Sequence, residues 1–191
     1  MEAAPEILSA LLNVAYVVGM LRQRIWAWPA GLLGCLIGAW VMYQGALYAE
    51  VVLYLIYSAM AVYGWVTWSR LQNQSKSFVV KVFQGRRPWY FAMASGSVIA
   101  VTIGYVMSEW TDNPRPYVDS AVFSFSVIAT LWQIHKRLES WYLWIVINAV
   151  GVWLYLDRDL IYYMAYSVIL FAMSVRGLRE WRMMLALTAK F

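Results

Sequence analysis

A chain of 191 residues that is 63% hydrophobic and only 13% charged carries too much apolar surface for one soluble core, since an ordinary soluble domain is about a quarter charged. One cysteine, Cys35, excludes an intrachain disulfide and a cysteine-based metal site. The net charge of +5 is explained by where the charges fall along the chain, as set out below, and not by a nucleic-acid face.

The chain opens MEAAPE, acidic where a cleavable signal peptide would be basic. A membrane helix needs about 20 mostly apolar residues, and seven stretches qualify: 6–22, 27–46, 49–69, 89–108, 117–136, 140–156 and 160–178. Pro5, Pro29, Pro88, Pro114 and Pro116 sit at or just before the predicted starts, where a missing N–H costs little. The long polar stretch SRLQNQSKSFVVKVFQGRRP (69–88) reads as an amphipathic or extended loop and not as a second domain. The expected organisation is a single membrane domain over 1–191: a three-helix repeat over 6–69, a linker helix over 89–108 and a second repeat over 117–178.

Of the 15 Lys and Arg, all but Arg115 and Arg158 follow odd-numbered spans and so lie on one side of the membrane. The other side collects Glu2, Glu6, Glu50, Glu109, Asp112, Asp119, Asp157 and Asp159. The positive-inside rule then puts the N-terminus outside and the C-terminus in the cytoplasm. Asp157 and Asp159 around Arg158 read as a solvated loop, Glu50 and Asp119 as helix caps, and His135, without a ligating partner at helical spacing, as an interfacial polar residue.

At a constant offset of 113, LYAEVVLYLIYSAMAVYGWVTW lies over LIYYMAYSVILFAMSVRGLREW, pairing Leu47 with Leu160, Ala59 with Ala172, Met60 with Met173, Gly64 with Gly177 and Trp68 with Trp181. The second helix of each half opens on a tryptophan pair, WAWP at 26–29 and WYLW at 141–144. This is a 3+1+3 plan of two parallel halves, a transporter architecture with its site near the bilayer midplane.

The chain lacks the marks of catalysis: no nucleophile with a base, no metal cluster, no phosphate loop. It is expected to be no enzyme and to need no cofactor or metal. A seven-helix receptor is the alternative class, although Lys76, Lys81, Lys136 and Lys190 all lie in loops, at a helix end or in the tail, which argues against a retinal protein. Polar and aromatic residues inside spans carry the information, because polar groups at depth face a bundle interior or a cavity. They include Asn13, Tyr54, Tyr57, Ser126, Thr130, Gln133, Tyr163 and Ser167. Most of the serines read as interhelical hydrogen-bond glue, and Trp26, Trp28, Trp110 and Trp181 as interface belts. Trp141, Trp144 and Asn148 share one helical face at i, i+3 and i+7. That stripe is either a lipid-interface belt ending in a buried hydrogen bond or the wall of a site for a flat, polar solute.

PYVDSAVFSFSVIATLWQIHKRLESWYLWIVINAVGVWLY resembles the PnuC family of bacterial vitamin transporters. The likeness lies in a Pro-x-x-Asp opening, a Ser-rich fifth helix, the basic turn HKRLESW, the W-x-x-W-x-x-x-N motif and a Leu-Tyr close. LYAE, YGWVTW and GLREW are also similar, and the resemblance runs from Asn13 to Trp181. It implies an all-α, seven-helix fold like that of the SWEET sugar transporters. It further implies facilitated diffusion of a dephosphorylated B-vitamin across the bacterial inner membrane, trapping by a cytoplasmic kinase, and a homo-trimer. The family's substrate positions fall on Trp141, Trp144 and Asn148; Asn13, Tyr54, Tyr57, Thr130 and Tyr163 complete the expected site. Three departures from nicotinamide riboside carriers stand out: Tyr54 and Thr130 where glutamines are usual, and Tyr163 where a small threonine is common. A more aromatic pocket points to cationic thiamine, with nicotinamide riboside as the alternative and riboflavin a further family substrate.

Overall fold

The computed structural model describes residues 3–44, 48–73, 79–159 and 161–188. Its helices are α1 (Ala3–Leu21), α2 (Ala27–Gln44), α3 (Tyr48–Asn73), α4 (Arg87–Trp110), α5 (Pro116–Ile134), α6 (Ser140–Asp157) and α7 (Ile161–Thr188). Each expected span is a helix. Helices α3 and α7 run past residues 69 and 178, because helix propensity continues through their polar tails after the apolar stretch has stopped. Proline opens α4 and α5, where its fixed φ suits the first turn.

Among the described residues three helices are long and apolar enough to cross a membrane, Glu50–Gln72, Arg87–Trp110 and Pro116–Ile134, and Ile7–Leu21 is a shorter apolar one. The outward faces match a lipid solvent: Phe91, Val98 and Tyr105 on α4, and Leu33, Leu36 and Trp40 on α2, are all exposed.

The chain forms two compact units, Met1–Val79 and Val80–Phe191. In the first, α2 packs against both α1 and α3. In the second, α6 packs against α5 and α7, and α4 lies along α5. The α4 contact is made by a stripe of small residues, Ala92, Gly96, Ala100 and Gly104, one per turn. They let the backbones approach until Ser120 Oγ donates to the Ala100 carbonyl at 2.7 Å.

The offset of 113 holds at atomic detail. Two residues past the end of α1, Gln23 stands at φ +51°, and two past the end of α5, Lys136 stands at φ +57°. In the first turn Gln23 N–H bonds the Met20 carbonyl and Arg24 N–H the Gly19 carbonyl, at 3.1 and 2.8 Å. In the second, Lys136 and Arg137 bond Gln133 and Trp132 in the same way, at 3.0 and 2.8 Å. This is the left-handed helix stop that satisfies the last carbonyls. Beyond it, Trp28 and Trp141 are both buried, each edge-on to a second tryptophan: Trp28 to Trp68 at 5.4 Å and Trp141 to Trp181 at 5.5 Å, both at 84°. Gly64 and Gly177 lie flush against these indoles, with no room for a methyl. Trp28 and Trp181 are therefore packing wedges, 1% and 0% exposed, and not the interface belts expected of them. Trp26 and Trp110 are exposed as belts would be, at 48% and 85%.

Two loop expectations are refined. Of the polar stretch, residues 70–73 are helical, 74–78 lie outside the described residues, and the chain from Val79 runs extended. Lys81 pairs in parallel with the α5–α6 turn, its N–H donating to the Lys136 carbonyl and its carbonyl accepting from Leu138 N–H, both at 2.9 Å. Phe83 N–H then donates to Glu139 Oε1 at 2.7 Å. At the opposite end of the unit, the turn around Arg158 is an ion-pair cluster and not a bare solvated loop. Arg158 bonds Asp119 at 2.8 Å, and Arg115 grips Asp157 with two N–H groups at 3.1 Å. These pairs tie the end of α6 to the start of α5, which carry complementary charges.

Candidate functional site

Helix α6 holds the stripe read from the sequence, and the structure gives each member a different neighbour. Trp141 turns to α7, where a methyl on Gly177 would come within 2.6 Å of its ring. Trp144 turns to α5: its Nε1–H donates to Gln133 Oε1 at 3.1 Å. Its ring packs on a small apolar cluster of Ala129, Leu143 and Ile147. Asn148, midway along α6, donates from Nδ2 to Ser174 Oγ on α7 at 3.1 Å, and Ser174 passes its own proton to the Leu170 carbonyl at 2.8 Å.

The pseudo-repeat explains how Trp144 comes to sit there. In the first unit, large Tyr16 on α1 fills the space over Gly31 on α2. At the related positions of the second unit, Ala129 on α5 is the small partner and Trp144 on α6 the large one. The volumes are exchanged between helices, so the same crossing presents an indole from α6.

Asn148 is 8% exposed and in a mid-helix position where an amide needs partners. Ser174 meets one half of it. Among the described residues, the sealed side-chain atoms without a hydrogen bond are Trp28 Nε1, Glu139 Oε2, Trp141 Nε1 and Arg158 Nε. Asn148 Oδ1 is not among them and accepts no bond among the described residues, so it keeps some accessible surface. Thr130, 6% exposed, spends its hydroxyl proton on the Ser126 carbonyl at 2.8 Å and retains only acceptor capacity.

Of the expected residues, Thr130 on α5 and Trp144 and Asn148 on α6 are buried or half-buried. Trp141 lies beneath them as a wedge. Tyr163 stands apart, 56% exposed, its ring 5.5 Å from Tyr155. Asn13, Tyr54 and Tyr57 belong to the first unit. There Asn13 Nδ2 donates to its own helix at the Ser9 carbonyl, 3.0 Å away. The Tyr54 ring lies against Gly38, 2.6 Å from where a methyl would stand, and fills the α2–α3 crossing. Tyr57 is half-buried on α3.

Two residues outside the expected set bond to its members. Gln133, 2% exposed, holds the Trp144 indole, and Ser174, 3% exposed, holds Asn148. Gln133 is legible as the residue one turn after Thr130 on the same face. Ser174 follows Ser167 at i+7 on α7, where a serine in an apolar helix reads first as glue.

Comparison with known proteins bears on the family and the fold. The family model described as nicotinamide mononucleotide transporter matches residues 4–183. The nicotinamide riboside transporter PnuC of Escherichia coli (strain K12) is 23% identical over 179 residues, covering 79% of this chain and 73% of that protein. The riboflavin/roseoflavin transporter RibM of Streptomyces davaonensis is 26% identical over 166 residues, covering 84% and 76%. The crystal structure of the vitamin B3 transporter PnuC shares the fold, with a TM-score of 0.76 at 21% identity over 97% of this chain and 83% of that one.

Proposed function

We propose that this chain, which belongs to the nicotinamide mononucleotide transporter family, carries nicotinamide riboside across the bacterial inner membrane by facilitated diffusion with alternating access. The carrying observation is Asn148: a mid-helix amide whose Nδ2 is fixed by Ser174 while its Oδ1 stays open, one turn from the Trp144 indole. A flat ring stacks on the indole, and a donor on its edge meets the amide oxygen.

The dephosphorylated form is favoured by charge. A phosphate at membrane depth needs cations beside it. Here Lys and Arg gather in turns and toward helix ends, and Arg176 on α7 is exposed and paired with Glu180 at 2.7 Å. A cytoplasmic kinase then keeps the uptake one-way by adding the phosphate that the pathway excludes. The N-terminus lies outside, the C-terminus in the cytoplasm, and the working form is a homo-trimer.

Thiamine gives way to nicotinamide riboside. Its case rested on Tyr54, Thr130 and Tyr163. Yet Tyr54 fills a helix crossing, Tyr163 leans outward on Tyr155, and the relatives named above are transporters of nicotinamide riboside or riboflavin. Riboflavin is the second reading: Thr130 leaves more room than a glutamine, and RibM is 26% identical to this chain.

Calorimetric titration of the detergent-purified protein tests the assignment. Nicotinamide riboside binds the wild type, and Asn148→Ala or Trp144→Ala weakens it by about tenfold or more, the loss of a hydrogen bond plus a stacking face. Unchanged affinity in both variants makes the stripe structural and overturns the site. In proteoliposomes the flux follows the substrate gradient alone; dependence on a sodium or proton gradient overturns facilitated diffusion.

A further inference from the structure

Two amides flank Trp144, and each is half committed. Asn148 gives Nδ2 to Ser174 and keeps Oδ1. Gln133 does the reverse: its Oε1 accepts from Trp144 Nε1 at 3.1 Å, while its Nε2 donates to nothing among the described residues. Neither free atom is among the sealed, unpartnered atoms of the described residues, so each keeps some accessible surface. The residue bonded to the indole N–H thus has an open donor, and the residue one turn along α6 has an open acceptor.

We propose that Gln133 is a specificity-determining residue that donates from Nε2 to an acceptor on the substrate's ring edge, while Asn148 Oδ1 accepts a hydrogen bond from the donor beside it. The inference rests on the function proposed above. Position supports it. Thr130, one turn before Gln133 on α5, already donates its hydroxyl to the Ser126 carbonyl at 2.8 Å. The open side-chain donor on this face of α5 is therefore Gln133. The bond to Trp144 fixes which end of the amide faces outward: with Oε1 held by the indole N–H, only the NH2 end is available. A buried donor built to be paired rejects ligands that leave it empty. The ligand class is therefore a planar heteroaromatic with an acceptor beside a donor on one edge, as in a ring carboxamide or a ring imide.

A double-mutant cycle tests it by titration with nicotinamide riboside. Gln133→Met removes the amide at similar volume, and Trp144→Phe keeps a flat ring but frees Gln133 from the indole N–H. The expected result is a loss of roughly threefold to tenfold for Gln133→Met, the worth of one neutral hydrogen bond, in both the wild-type and the Trp144→Phe background. No loss in either background overturns the proposal. A loss that vanishes in Trp144→Phe also overturns it, since Gln133 is then only an anchor for the indole. Should Gln133→Met fail to elute as a folded species, Gln133→Asn, which shortens the amide by one methylene, is read in its place. If the wild type binds neither nicotinamide riboside nor riboflavin, the substrate reading falls before any variant is compared.

Discussion

At the residue scale, a shared helical face is broader than a shared neighbour. At about 100° per residue, Trp141 and Trp144 point roughly 60° apart around α6. That angle sends one to α7 and the other to α5. Helical spacing made Trp141, Trp144 and Asn148 a group, and in the fold they divide into a wedge, a wall and a hydrogen-bonding group. Trp181 shows the same limit more sharply. Its place near the end of an apolar span reads as a belt, yet it is 0% exposed against Trp141. Trp181→Ala should therefore destabilise the protein by about 3–5 kcal/mol, the usual range for emptying a buried tryptophan site, and Trp110→Ala, 85% exposed, should change little. Thermal unfolding in detergent separates them; equal midpoints would return Trp181 to the interface.

At the element scale, what recurs between the halves is how helices stop and how closely they cross. Gln23 and Lys136 share no side-chain chemistry, yet both end a helix in the left-handed conformation with the same two backbone bonds. Gly64 and Gly177 each admit an indole from the preceding helix. Alanine in place of glycine within a helix normally gains about 1 kcal/mol. At Gly177 the added methyl meets the Trp141 ring at 2.6 Å, and overpacking of this kind costs about 1–3 kcal/mol. Gly151 lies on the other side of the same α6–α7 pair, and its nearest contact there is the rotatable Ser167 Oγ at 3.3 Å. Gly177→Ala should thus lower the unfolding midpoint and Gly151→Ala leave it level or raised. The reverse order would mean that α6 and α7 slide freely at the tryptophan crossing.

The scale of the whole molecule is set by charge and lipid. The skew of Lys and Arg to one side was readable without any coordinates, because charged loops cost too much to leave on the wrong side during insertion. The orientation it implies is directly testable, since Cys35 is the chain's one cysteine. In a Cys35→Ala background, a cysteine at Thr111, in the α4–α5 loop, should react with a membrane-impermeant maleimide in intact cells. A cysteine at Gln84, in the α3–α4 loop, should react only after lysis. The opposite pattern would invert the topology and place the strap around Lys81 outside.

By itself the sequence determined the solvent, the number of helices, the sidedness of the charges and the repeat at an offset of 113. Each of these is a one-dimensional property: a length of apolar chain, a spacing, a count of charges per loop. It also singled out Asn148, because an amide in an apolar helix is costly wherever the helix goes. Only the tertiary structure decided which tryptophans are wedges, that Tyr54 fills a crossing, and that Gln133 and Ser174 each tie down half of the site. Those assignments depend on which helix lies opposite and how near it comes. The small residues that set that distance, Gly64, Gly151 and Gly177 among them, act through partners far away in the chain. In sequence they are merely small; in the fold they set how closely each helix approaches the side chain opposite, Trp28, Ser167 and Trp141 in turn.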